Sequence, residues 1–137
     1  LGESVDQVAN AIMEMEKDKV ICGYHTIINW NKITSEKVNA LIEVKVTPQR
    51  QLGFDKLAER IYNYPEVTAV YLMSGGFDFA VFIEGKTLQE IAEFVTSRLS
   101  TIEGVLSTAT HFVLKTYKEH GTVLEAEPTR ERQLITA

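Results

Sequence analysis

Two short stretches of this chain carry residue types and spacings suited to chemistry. In Met73-Ser74-Gly75-Gly76-Phe77-Asp78, two glycines leave backbone N–H groups open to close approach, and a carboxylate follows two residues on. N–H donors suit a carboxylate and Asp78 suits an ammonium group, so together they match the zwitterionic end of a free amino acid. The same residues also suit a plain hairpin, with glycine supplying a positive φ and the Asp bonding its own turn. Taken alone, the stretch leaves both readings open. It is not a phosphate cradle, because the Lys-Ser or Lys-Thr ending is missing and strand-like residues follow. The second stretch, Ser107-Thr108-Ala109-Thr110, sets hydroxyls within an apolar run. Thr108 and Thr110 point to one side of a strand and either line a polar pocket or simply serve β propensity.

Other chemistries find little support. His25, His111 and His120 lie far apart, and Cys22 has no Cys or His at ligand spacing, so neither a metal site nor a cofactor is expected. Cys22 and His25 fall on opposite sides of a strand, against a nucleophilic pair. No matched acid–base set is visible, so an enzyme is not expected. One cysteine excludes an internal disulfide and fits a reducing, cytoplasmic setting. No apolar run approaches the roughly 20 residues of a membrane span, and no signal peptide is visible. A formal charge of −5 argues against a generally basic nucleic-acid-binding surface. With 137 residues, 45% of them hydrophobic and 24% charged, the chain has the composition of a globular domain with its own core.

The elements that must position these residues follow from periodicity. Ser4 and Gln7 have capping-box spacing, and Val5, Val8, Ala9, Ile12 and Met15 continue at helical spacing to about Asp18. Val20 to Trp30 has strand composition, and a polar stretch to Lys37 follows. Val38–Thr47 is strand-like, Phe54–Tyr64 helix-like and Val67–Ser74 strand-like. The order then repeats in Phe79–Glu84, Leu88–Leu99 and Leu106–Leu114, with a second capping box at Thr87 and Glu90. This predicts an α+β fold, a ferredoxin-like βαββαβ sandwich with both helices on one face of an antiparallel sheet. Val67, Ala69, Tyr71 and Met73 oppose the apolar Val70 and Leu72, while Phe79, Val81 and Ile83 oppose Ala80 and Phe82. Helices cover only one such face, so a homo-oligomer that buries the other is expected. In strand order 4-1-3-2, the glycine loop and the start of the last strand share one end of the sheet but lie about 14 Å apart. A small ligand bridges them only if a neighbouring subunit supplies one half.

Over nearly its whole length the chain resembles the Lrp/AsnC family of feast/famine transcription regulators. The resemblance rests on Leu1-Gly2-Glu3-Ser4 leading into a helix, the exit Val20-Ile21-Cys22-Gly23-Tyr24, the Val70 to Asp78 loop, and Gly104-Val105-Leu106-Ser107-Thr108-Ala109-Thr110. It implies that residues 1–19 are the recognition-helix end of a helix-turn-helix whose earlier helices lie outside this sequence. Residues 20–37 are then a connecting strand and linker, residues 38–127 the effector-binding and oligomerisation (RAM) domain, and residues 128–137 a loosely ordered tail. It further implies an amino-acid effector held by Met73, Ser74, Gly75, Gly76 and Asp78 with Ser107, Thr108 and Thr110, in a dimer or octamer. Ser4, Asp6, Gln7 and Asn10 would face DNA, but the helix is otherwise acidic or neutral, with Lys17 and Lys19 only at its end. Phosphate binding needs cations, so DNA binding by this chain is expected to be weak or absent. The alternatives are a stand-alone small-molecule sensor and a small dimeric α+β barrel enzyme.

Overall fold

The computed structural model describes residues 2–48 and 53–124, and the expected tail lies outside them. Alternation in β1 (Val38–Val46) turns Ala40, Ile42, Val44 and Val46 to one face and buries all four. β1 is central: it pairs antiparallel with β3 (Phe79–Gly85) on one side and β4 (Val105–Phe112) on the other. β2 (Val67–Leu72) borders β3, giving the order β2-β3-β1-β4. Together with α2 (Gly53–Tyr62) and α3 (Leu88–Phe94) this is the expected ferredoxin-like βαββαβ sandwich. Both helices turn their apolar stripes to one sheet face. Ile61 of α2 and Ile91 and Phe94 of α3 are buried against Ile42, Phe79, Val81 and Ile83. Edge-to-face rings reinforce this packing: Phe54 of α2 meets Phe79 of β3 at 5.8 Å, and Tyr64, just past α2, meets Phe94 of α3 at 5.3 Å.

The structure departs from the expected elements in four places. The α-helical turns of α3 stop at Phe94, and Val95–Leu99 forms a π turn, closed by the Ser100 N–H on the Val95 carbonyl at 2.8 Å. Hydroxyls explain the loosening: Thr96 bonds the Ala92 carbonyl, Ser97 the Glu93 carbonyl and Thr101 the Ser97 carbonyl, each competing with the ladder one turn back. The second capping box is shifted. Thr87 Oγ1 accepts from the Glu90 N–H at 3.0 Å, but Glu90 Oε2 accepts from the Lys86 N–H at 2.7 Å. In β2 a register shift between Val67 and Ala69 puts Val67 opposite Ile83, on the helix side, and not in a row with Ala69 and Tyr71. Finally, Val20 to Trp30 joins no strand pairing among the described residues. Strand-like composition does not make a strand without a partner ladder, and among the described residues this segment has none.

That arm is instead tied by side chains. Asn29 Nδ2 donates to the Leu124 carbonyl at 2.6 Å, Lys37 Nζ sits 3.9 Å over the Trp30 ring, and His25 meets His120 at 5.9 Å. His120 lies in the turn between β5 (Lys118–Glu119) and β6 (Thr122–Val123). Before the arm, α1 (Val5–Lys17) has the full Ser4–Gln7 capping box but buries none of its residues, leaving Val5 84% exposed. Among the described residues no helix is long and apolar enough to cross a membrane.

Ile42 is fully buried at the centre of this packing. Ile42→Ala is expected to cost about 3 kcal/mol of stability, read as a lower urea midpoint with unchanged slope. A change below about 1 kcal/mol would place the core elsewhere.

Candidate functional site

The β2–β3 connection is built by Asp78. The Met73 N–H donates to the Asp78 carbonyl at 2.8 Å and closes the loop, while the Asp78 N–H donates to the Val44 carbonyl at 2.9 Å. The β1–β3 ladder ends at the pair Val44–Phe79, so the next β1 donor on that side, the Val46 N–H, has no strand opposite it. Asp78 Oδ2 accepts it at 2.8 Å. A carboxylate thus stands where one more strand carbonyl would be, beside the β1–β4 register shift at Lys45/Val46. Asp78 is half-buried, and its Oδ1 makes no hydrogen bond among the described residues.

With its base pinned, the loop presents bare backbone. Met73, Ser74, Gly75 and Gly76 are all exposed, and Gly75 has φ 115°, a conformation other residues avoid. A Cβ placed on Gly75 or Gly76 would meet nothing within 4 Å, so the glycines keep an open approach and not a packed one.

The β4 hydroxyls divide between two faces. Thr108 and Thr110 pair with Val44 and Ile42 and share the helix side, where Thr108 Oγ1 lies 3.3 Å from Ser100 Oγ. Ser107 pairs with Lys45 on the open side. β4 and the loop meet the same end of β1 from opposite flanks, with β3 between the loop and β1. Within one chain, Met73 to Asp78 are brought together, but Ser107, Thr108 and Thr110 are not brought to them.

On α1, Ser4 Oγ accepts from the Gln7 N–H at 3.2 Å and Gln7 Oε1 from the Ser4 N–H at 2.9 Å, so both side chains serve the cap. Asp6 and Asn10 stand exposed beside them. Tyr24 joins the arm to this helix: its hydroxyl donates to Glu16 Oε1 at 3.0 Å, and that bond to a carboxylate raises its pKa above the ordinary phenol value. Among the described residues no three His, Cys, Asp or Glu side chains group as metal ligands.

Two features escaped the sequence reading. His111 faces the uncovered side of the sheet with Nε2 3.3 Å from Glu43 Oε1. A cleft of about 540 Å³ opens between α2, the end of β1 and the Glu103-Gly104 turn. Its trace in the sequence is the spacing of Lys56 and Arg60 along one side of α2, with Asn63 just past its end.

These features define an α+β sandwich with a displayed loop, and comparison with known proteins gives it a family. Residues 39–123 match the family model described as the Lrp/AsnC ligand binding domain. The chain is 46% identical over 136 residues to YugG of Bacillus subtilis, described as an uncharacterized HTH-type transcriptional regulator, covering 98% of this chain and 82% of that protein. It is 36% identical over 118 residues to the HTH-type transcriptional regulator FL11 of Pyrococcus horikoshii, covering 86% and 75%. The fold matches a feast or famine regulatory protein of M. tuberculosis complexed with L-methionine at TM-score 0.70 and 19% identity, covering 90% and 81%. It matches E. coli AsnC at TM-score 0.67 and 16% identity, covering 90% and 80%. The chain belongs to the Lrp/AsnC family of transcriptional regulators. Its family and relatives are regulators, not enzymes.

Asp78→Ala strands the Val46 N–H at a nearly buried position and is expected to cost about 1–3 kcal/mol. Asp78→Asn keeps an acceptor and costs less. Urea unfolding measures both, and faster hydrogen exchange at the Val46 amide locates the loss. Alanine and wild-type proteins of equal stability would contradict the anchoring role.

Proposed function

We propose that this chain is the effector-binding and assembly part of an amino-acid-responsive transcriptional regulator, with the Ser74-Gly75-Gly76 backbone holding the α-carboxylate. The carrying observation is the exposed glycine backbone fixed at its base by Asp78, whose Oδ1 remains available to an ammonium group. L-methionine in the complex of the M. tuberculosis relative supports the ligand class. In this reading residues 38–127 form the effector domain, residues 20–37 connect it to the recognition helix, and residues 1–19 carry that helix. Thr108, Thr110 and Ser107 complete a site only from a neighbouring subunit, since β4 lies on the far flank of β1.

The open sheet face supports a second copy as the neighbour. Leu41, Ala69, Tyr71, Ala80 and Phe82 share it by register, with Tyr71 54% and Phe82 36% exposed and their rings edge-to-face at 5.9 Å. Apolar surface of this extent on a sheet favours burial against its own copy. Effector binding then acts by favouring one arrangement of protomers over another, which changes how paired recognition helices meet DNA. DNA affinity of this chain stays low, because α1 carries Asp6 in its first turn and Lys17 only in its last.

Sedimentation velocity tests both parts. Wild-type protein is expected to sediment as a dimer or larger species whose profile shifts with L-methionine or another amino acid of a standard panel. Gly76→Leu, whose Cβ meets nothing within 4 Å and whose side chain then occupies the approach to the loop, is expected to abolish that shift. Phe82→Lys is expected to move the population toward monomer. Profiles indifferent to every amino acid in the panel would remove the effector role, and a wild-type monomer at micromolar concentration would remove the assembly role.

A further inference from the structure

The uncovered face of the sheet carries one charged pair near its middle. Glu43 lies on the central strand β1, directly across from Ala80 on β3 and Ala109 on β4. His111 is its diagonal neighbour, across from Leu41, and brings Nε2 to 3.3 Å from Glu43 Oε1. Leu41, Phe82, Tyr71 and the two alanines surround the pair, so a carboxylate and an imidazole interrupt an otherwise apolar centre. The Glu43 side chain keeps 34% of its surface in water and that of His111 keeps 55%. Both reach solvent in a single chain, and a covering layer would take that water away.

The other ionisable groups of this face leave Glu43 to His111. Glu84 of β3 is held by Lys37 at 2.7 Å. Lys45 of β1 is exposed beside the register shift at Lys45/Val46 and forms no ion pair among the described residues. Its long stem carries an ammonium to the rim of any interface, whereas the shorter Glu43 is confined to the centre. Tyr71 of β2 is a phenol, which keeps its proton at neutral pH. On β4, Ser107 and Ala109 share this face with His111 and add no charge. An imidazole changes charge between roughly pH 5 and pH 8. The balance of a covered Glu43 therefore depends on the protonation of one residue.

We propose that the Glu43–His111 pair is a proton-operated control of self-association through this face, an inference that rests on the preceding reading that a second copy covers the sheet. Covering a carboxylate beside a neutral imidazole buries a net charge, which is costly. With His111 protonated the pair is net neutral and its hydrogen bond is charge-assisted. Assembly therefore takes up protons, one for each pair and up to two in a symmetric dimer. Association is strongest on the acid side of the histidine range and weakens as pH rises through it. A regulator built this way reads acidity through its assembly, with no contact at the glycine loop.

Sedimentation equilibrium of the full chain at about pH 6 and about pH 8.5, at constant ionic strength, tests this. Wild type is expected to associate at least about tenfold more tightly at the lower pH. His111→Gln keeps an N–H donor but cannot charge, and its association is expected to differ by less than about twofold between the two conditions. Glu43→Gln leaves a charged imidazole without a counter-ion, so its dependence is expected to reverse, with tighter association at the higher pH. His25→Gln and His120→Gln alter the other two histidines and are expected to keep the wild-type dependence. A wild-type dimer indifferent to pH would overturn the proton control and leave the assembly reading standing. So would a dependence that survives His111→Gln, that keeps its sign in Glu43→Gln, or that disappears in His25→Gln or His120→Gln. A wild-type monomer at micromolar concentration under both conditions overturns both readings.

Discussion

One hydrogen bond sets the geometry on which the rest of the molecule turns: the Val46 N–H donating to Asp78 Oδ2 at 2.8 Å. It extends the β1–β3 ladder one rung past its last backbone pair and fixes where the chain leaves the sheet. The glycine loop projects from that point, and the cleft is floored by the same Val46. A carboxylate does this better than a backbone carbonyl, because the charge-assisted bond is shorter and stronger while the main chain stays free to turn away. The arrangement also separates two jobs within one side chain, with Oδ2 committed to the fold and Oδ1 left open.

The sheet divides the molecule in a similar way. Its helix side is closed by Ile61, Ile91, Phe94 and Leu99 and accounts for the buried core. Its other side mixes Leu41, Tyr71 and Phe82 with the Glu43–His111 pair and the Lys37–Glu84 bridge. In the proposed assembly the apolar area there favours burial against a second copy, and fixed charges at defined positions would select its register. The arm has the same incompleteness. Strand-like residues from Val20 to Trp30 find no ladder among the described residues, and α1 buries nothing.

The sequence carried much of this architecture because its signals are local. Alternation in Val38–Val46, helical spacing in Phe54–Ile61 and the Ser4–Gln7 box each operate within a few residues, and the repeated βαβ order fixes topology by short connections. What it did not carry depends on distant residues meeting. The partner of Asp78 lies 32 positions earlier in the chain. The bulge between Val67 and Ala69 became visible only against β3, and the direction of His111 only against Glu43. The cleft joins residues from β1, α2 and the Glu103-Gly104 turn, none of which announces a cavity by itself. The π turn was locally encoded, in the hydroxyls of Thr96, Ser97 and Thr101, but helical periodicity outweighs that signal when the pattern is read by apolar spacing alone.

The central claim is that a free amino acid is held on the backbone of Ser74, Gly75 and Gly76. Amide-resolved NMR of the deuterated protein, titrated with L-methionine and a panel of other amino acids, tests it most directly. The account predicts large, saturable shifts of the Ser74, Gly75 and Gly76 amide signals, with the Val46 amide still protected by Asp78. Saturable amino-acid binding that leaves those three loop amides unmoved would contradict it.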